Sequence, residues 1–393
     1  MNVTYPNRKT IFLRNVAFIC LIGNMLYHLF PFPPIVWRVS FLITCLYCIF
    51  MCRRDIPFLP FEKAIFFFAG LNLVYFFWSY MWQEPKTTQI GNSLCSLLSF
   101  SLFYYLKRKK VLSEKFINVI AIILTLSAIL AYFQAERVLF TSIGMGDEID
   151  LTNNASTNFL YLLPLLFLLK KQWIRFIVLI TSLFFILHSA KRGNIVAAIP
   201  VTLLLLPSFW NTGKGFLRNA ILVSLLSVAA YYLYQFSSNY EYLQYRIEKT
   251  REGSTSHRDI IYNSAWHLWL DADSYHRILF GYGTDGTIYN TIMEKRAHND
   301  WLEVLVDYGL LGLFSYFIVF ILLFQLAWMY RKEKELSLAI LSCSLIWFLK
   351  TLYSMGYTDE SLTILMLSLG YAIAKIHNKK EEVSLDETYL INN

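Results

Sequence analysis

The stretch KRAHNDWLEVLVDYGLLG, residues 295–312, sets a histidine just ahead of a helix-like apolar run. Asn299 or Asp300 can cap a helix that starts at Trp301, which leaves His298 immediately before its N-terminus. The positive end of the helix dipole disfavours an imidazolium there, so the ring is expected to be neutral and able to accept a proton near pH 7. The plain alternative is a structural hydrogen bond. Gly309 and Gly312, spaced i and i+3, leave room for another helix or for a lipid chain. Two further places carry cations of the right type for phosphate. In HSAKRGNIV, Lys191 and Arg192 fill a connector of only a few residues, and in TSHRDIIYNSAW, Arg258 lies on a helix-like segment. A guanidinium binds phosphate oxygens bidentately, which favours Arg192 over its neighbour. Snorkelling to lipid phosphate is the alternative for the first pair, and a solvated residue beside Asp259 for Arg258. Arg246, Lys249 and Arg251 are weaker cationic candidates upstream.

The elements that must position these groups are apolar. Of 393 residues, 56% are hydrophobic, 17% aromatic and only 16% charged, with a mean hydropathy of +0.45. Soluble domains have about a quarter of their residues charged, so composition indicates an integral membrane protein. The runs are too long for strands and reach the roughly 20 residues that a spanning helix needs. Twelve spanning segments are expected: 11–30, 35–51, 64–82, 89–106, 116–134, 157–170, 173–189, 194–210, 216–236, 303–330, 336–354 and 361–377. No small-residue cleavage site follows the first apolar run, which therefore reads as a retained helix.

Basic residues set the orientation. With a cytoplasmic N-terminus, the inner connectors hold clusters such as Arg53–Arg54, KRKK at 107–110, Lys170–Lys171 and RKEK at 331–334, while the short outer ones hold only Lys86, Arg137, Lys191 and Arg192. This bias places both ends in the cytoplasm. Lys191 and Arg192 then break the rule on the outer face, which suggests a purpose. A long outer connector, about 237–300, contains four of the seven histidines and a segment whose apolar spacing (Ile260, Ile261, Ala265, Trp266, Trp269) predicts amphipathic helices at the membrane interface. The division is thus helices 1–9 in residues 1–236, a catalytic loop in 237–300, helices 10–12 in 301–378, and a polar tail, expected to be disordered, in 379–393.

Several functions lose support. Spanning segments appear almost free of ionisable groups, unlike those of a proton-coupled transporter or a flippase with a charged interior. No P-loop, G-x-S-x-G elbow or H-E-x-x-H pair is present, and the DAD at 271–273 is a weak metal hint. The six cysteines lie in apolar segments and imply no disulfide framework. The net charge of +8 follows from topology without invoking nucleic acid.

Taken together, AHNDWLEVLVDYGLLGL, the KRG at 191–193, HRDIIYNSAW and LFGYGTDG (279–286) resemble the O-antigen ligase family, within the group that also contains O-antigen polymerases. The resemblance implies an all-α integral membrane protein of about 12 transmembrane helices, similar to the GT-C-like glycosyltransferases, working at the periplasmic face of the bacterial inner membrane. It implies a donor of undecaprenyl-diphosphate-linked O-antigen, an acceptor hydroxyl on lipid A–core, no metal or other cofactor, and inversion at the anomeric carbon. In that reading His298 is the general base and Arg192 and Arg258 clamp the diphosphate. Lys191 and Arg251 stand in reserve, and Asn299, Gly309 and Gly312 border the substrate. A polymerase that elongates the lipid-linked glycan is the alternative within the group; a lipid-linked glycan flippase is the alternative outside it.

Overall fold

The structure is a computed structural model that describes residues 7–29, 33–52, 56–143, 153–189, 191–210, 258–291 and 294–391. Every regular element among them is helical. In chain order these are α1 (Arg8–Met25), α2 (Pro34–Cys52), α3 (Pro60–Ser79), α4 (Thr87–Arg108), α5 (Glu114–Ile143), α6 (Ser156–Leu162), α7 (Gln172–His188), α8 (Arg192–Trp210), α9 (Arg258–Leu270), α10 (Tyr275–Phe280), α11 (Gly286–Asn290), α12 (Asp300–Met329), α13 (Lys334–Thr351) and α14 (Leu362–Ile391). Ten of the twelve expected spanning segments fall on single α-helices; of the other two, 157–170 is broken and 216–236 lies outside the described residues. Among the described residues, four helices are long and apolar enough to cross a membrane: α2, α3, α5 and α12.

Two expectations need correction. The segment expected at 157–170 is not one helix: α6 gives way at Leu163 to a 3-10 turn that runs to Leu168. Pro164 lacks the amide proton that an α-turn would use, and the whole stretch from Ser156 to Leu168 is buried. The tail after Lys379 is also not disordered as far as it is described, because α14 continues to Ile391. Ion pairs Arg108–Glu381, Lys110–Glu382 and Lys379–Glu333 tie it to the end of α4 and the start of α13. The first half of α14 is buried on every face, as suits an all-round apolar helix at the centre of a bundle, and it packs mainly on α4. Cys20, Cys45, Cys48, Cys95 and Cys343 are buried free thiols, as small apolar residues in such a bundle are expected to be.

The helix that carries the opening stretch is broken. Gly309, in α12, has φ 63° and ψ −160°, a backbone region that only glycine enters readily. The break releases the carbonyls of Val306 and Asp307 from their helical partners. They accept instead from the amides of Tyr282 (2.8 Å) and Gly283 (2.9 Å). This docks the glycine-rich segment after α10 onto the kink. A Cβ on Gly309 would lie 2.4 Å from the Leu279 carbonyl carbon, and one on Gly281 would lie 2.5 Å from the Asp307 oxygen. Gly281 shares the same rare conformation, with φ 76° and ψ −164°. The two glycines therefore allow one chain segment to cross another at backbone distance.

Ahead of the kink, Asp300, Glu303 and Asp307 lie on one face at i, i+3 and i+7, all fully buried. Asp300 accepts from the amides of Gly356 (2.8 Å) and Tyr357 (3.2 Å) and from the Tyr316 hydroxyl (2.7 Å). Glu303 accepts from the Thr287 hydroxyl and from the Ala297 amide, and Asp307 from the Asp285 amide. Each carboxylate thus anchors one loop to α12. Gly309→Ala is expected to lose at least about 1–3 kcal/mol from backbone strain alone, before the steric clash. A lowered melting temperature of the detergent-solubilised variant checks this; an unchanged one would mean the crossing is not as close as described.

Candidate active site

Helix ends that the charge bias assigns to one side of the membrane meet around a cavity of about 500 Å³. Its wall includes Lys191, Arg296 and His298 on one side, with Asp359 and Glu360 beneath, from the loop before α14. Among the expected site residues, therefore, His298 and Lys191 reach one space.

His298 is two residues ahead of α12. Asn299 is the cap: its Oδ1 accepts from the Trp301 and Leu302 amides at 3.0 and 3.2 Å, and its Nδ2 donates to the Leu352 carbonyl at 3.0 Å. Both polar atoms of Asn299 are engaged in the chain, so its part is to position His298, where the sequence had suggested substrate contact. His298 has φ 51°, a left-handed conformation uncommon outside glycine, asparagine and aspartate. The Ala297 amide bond to Glu303 on one side and the Asn299 cap on the other hold it there. Tyr262 of α9 points its hydroxyl at the His298 carbonyl, 3.4 Å away. The ring opens onto the cavity, yet enough protein surrounds it for desolvation to lower its pKa, and Arg258, Lys191, Arg296 and Lys295 push the same way. The expectation of a neutral imidazole holds, with burial and neighbouring cations as the leading causes.

The KRG connector is pinned by its neighbours. Gly193 lies under the Tyr353 ring, where a Cβ would come within 2.2 Å of ring carbons, and Asn194 donates to the hydroxyls of Ser156 (2.8 Å) and Thr157 (3.2 Å). Lys191 extends to Asn154 Oδ1 at 2.8 Å. Its pKa is lowered to about 7 by burial first and by Lys350 and Arg258, against the pull of Asp359. Arg192 is the first residue of α8, half-buried, beside Lys191 but not on the cavity wall. Arg258 opens α9 and is the cation that bears most on His298 while also bearing on Lys191. Arg251, upstream of α9, lies outside the described residues. Within α9, Ile261 and Ala265 are buried against α12, whereas Ile260 and Trp266 remain exposed, the two-sided pattern of an interfacial helix.

Gly309 and Gly312 do not border the cavity. Gly309 abuts the backbone of Leu279 and Phe280, and Gly312 faces Tyr308 on its own helix. Of the two uses read from the sequence, close approach by another part of the chain is the one observed, and at Gly309 alone.

Sequence reasoning missed several members. Arg296 lines the cavity and is paired at 2.6 Å with the fully buried Asp285, whose other oxygen accepts from the Lys86 amide at 2.8 Å. Burial works against the charge of Arg296, but Asp285 and Glu303 outweigh it and raise its pKa. Arg38 pairs with Glu360 at 2.7 Å, and Lys350 with Asp359. His188, isolated in the sequence, meets the Tyr132 hydroxyl at 2.7 Å. The three buried acids of α12 were visible at i, i+3 and i+7, a signal hidden because the segment reads first as apolar.

Residues 177–317 match the family model described as O-Antigen ligase, which supports the resemblance drawn from the motifs. That span contains α8 to α11, the acid face and kink of α12, and every expected site residue. A search of curated proteins finds no match to the chain.

A cation that titrates near neutrality makes anion affinity depend on pH. Lys191 is charged at pH 6 and mostly neutral at pH 8, so binding an anion at pH 8 requires proton uptake. Sulfate, whose own charge is constant over this range, is expected to bind about tenfold more weakly at pH 8 than at pH 6, the limit set by linkage to a pKa of about 7. Calorimetry at both values checks this, and Lys191→Met is expected to remove the difference.

Proposed function

Taking residues 177–317 as an O-antigen ligase domain, we propose that the protein transfers an O-polysaccharide from undecaprenyl diphosphate to a sugar hydroxyl of lipid A–core. The family covers ligases and polymerases, membrane enzymes acting on lipid-linked polysaccharides and lipid A–core. In this reading the bundle spans the bacterial inner membrane with both ends cytoplasmic, and the cavity opens to the periplasm. The observation that carries it is the meeting of His298 with Lys191 and Arg296 in one cavity, with Arg258 acting on both His298 and Lys191.

The acceptor hydroxyl attacks the anomeric carbon, and the imidazole of His298 takes its proton as the bond forms. The diphosphate departs with its electron pair from the opposite face, so the configuration inverts. Arg192 and Arg258 neutralise the charge developing on it, with Lys191 beside them, as charge-assisted hydrogen bonds do in place of a metal. Arg296 adds a cation whose direction is set by Asp285. Asn299 and Glu303 hold the base at its place, through the cap and the Ala297 amide.

His298→Asn is the sharpest variant, because asparagine tolerates the left-handed backbone and removes only the base. Transfer is expected to fall by about 100- to 10,000-fold with the protein still inserted. Near-parent transfer would end the base assignment. Since the His298 pKa lies below its ordinary value, the acid limb of kcat/KM is expected at that lowered value, the base being neutral at and above pH 7, while loss of the Lys191 charge near pH 7 sets the alkaline limb. Arg258→Lys is expected to impair transfer strongly through loss of bidentate geometry, and unimpaired transfer by both Arg258→Lys and Arg192→Lys would refute the clamp. Gel ladders from a deletion strain separate the two family reactions. Loss of a ligase leaves lipid-linked polymer that never reaches the core, and loss of a polymerase leaves core capped by a single repeat.

A further inference from the structure

A second cavity, of about 880 Å³, lies at the other end of the bundle. Three elements run from one cavity to the other. They are α4 from Asn92 to Lys107, α14 with its preceding loop from Asp359 to Lys379, and α6 with its 3-10 continuation from Asn158 to Phe167. Along α4, at about 1.5 Å per residue, the two cavities are about 22 Å apart, so the second is a separate place in the fold.

Seven cations and four acids line it. Glu114 is shared by Lys170 and, at 2.9 Å, by Lys375; Glu382 takes Lys110 at 3.1 Å and Glu333 takes Lys379 at 2.9 Å. Lys107, by contrast, has neutral hydrogen-bond partners. Its Nζ donates to the Leu112 carbonyl at 3.1 Å and to the Tyr371 hydroxyl at 3.2 Å, and it lies 4.3 Å from the centroid of the Tyr371 ring. An ammonium has three donors, so one is left over. Lys334 makes no ion pair among the described residues. Arg175, on the same wall, is buried and steadied by the Ser208 hydroxyl at 2.6 Å.

Positive charge thus exceeds negative by three in one concave space. The start of α7 adds to it: Gln172 is on the wall, and that helix has neither a side-chain cap nor an acid in its first turn to offset the positive end of its dipole. The rest of the lining is largely apolar, from Leu112, Phe167, Leu168, Leu169 and Leu336. Lysines that merely snorkel to a membrane surface need neither a cavity nor fixed partners. The volume lies within the roughly 300–1,000 Å³ of small-molecule sites.

We infer that this second cavity binds a phosphate-bearing anion through Lys107 and Lys334, beside the start of α7. The headgroup of an anionic phospholipid offers that chemistry, with its chain against the leucines, and so does a soluble phosphate. The site is independent of the glycosyl-transfer reading.

The test titrates full-length protein in a neutral detergent with dioctanoyl phosphatidylglycerol, dioctanoyl phosphatidylcholine and pyrophosphate, each followed by calorimetry. Lys107→Met, Lys334→Met and Lys332→Met are compared with the parent after thermal melts establish that each is folded. Lys332 is exposed and is not part of the cavity wall, so its variant removes the same charge from the nearby surface. The first cavity is the same in all of them, and differences between them report the second. Lys107→Met is expected to weaken the bound anion about tenfold, as loss of a charged hydrogen bond requires, and Lys334→Met about threefold. Lys332→Met is expected to bind like the parent. Weakened phosphatidylglycerol binding assigns the cavity to a lipid headgroup, and weakened pyrophosphate binding alone assigns it to a soluble phosphate. Parent-like affinity for both anions in folded Lys107→Met and Lys334→Met overturns the site. Equal weakening by Lys332→Met, or phosphatidylcholine bound as tightly as phosphatidylglycerol, overturns it too. No outcome is read from transfer activity, so failure of the ligase reading leaves the site standing.

Discussion

The arrangement depends on three carboxylates buried along one face of the first half of α12. An unpaired carboxylate inside a membrane protein costs several kcal/mol, so Asp300, Glu303 and Asp307 are tolerable only where donors come to them. The donors are backbone amides of three separate loops, at 356–357, at 297 and at 285, together with the Tyr316 and Thr287 hydroxyls. The need to satisfy the acids draws in the loops, and those loops carry Arg296 and His298 and adjoin Asp359. The same residues that would be a liability in an apolar helix thus become the frame of the cavity.

A second constraint acts at the other end of the same half-helix. Once Gly309 breaks the helical ladder, the carbonyls of two buried residues must find new donors, and Tyr282 and Gly283 supply them. The kink and the acid face belong to one design: one orients the first half of α12 and the other fastens loops to it. Beyond Gly309 the helix is apolar and suited to lipid, with Phe314, Phe317 and Ile321 exposed. Polar work and membrane crossing are thereby divided between two halves of one helix.

Much of the helix inventory was legible because spanning helices need long apolar runs, and such runs survive without knowledge of contacts. Position in the chain also marked His298, since a cap residue followed by an apolar run is a local signal. The partnership of charges was not legible. Arg38 and Glu360, Lys350 and Asp359, or Arg296 and Asp285 are separated by 9 to 322 residues, and nothing in the spacing links them. Asn299, Gly309 and Gly312 were read as substrate neighbours because their types allow it, yet the actual capping bonds and backbone crossing occupy them with the chain itself.

By itself the sequence determined that this is a helical membrane protein, which connectors carry the basic residues, and where a neutral histidine stands at a helix start. Hydrophobic length and charge bias are summed along the chain, so they need no folded contacts. Only the tertiary structure decided that Lys191, Arg296 and His298 share a cavity, and that burial and nearby cations lower the pKa of His298. Those properties depend on distances across the bundle, which packing sets and local composition does not.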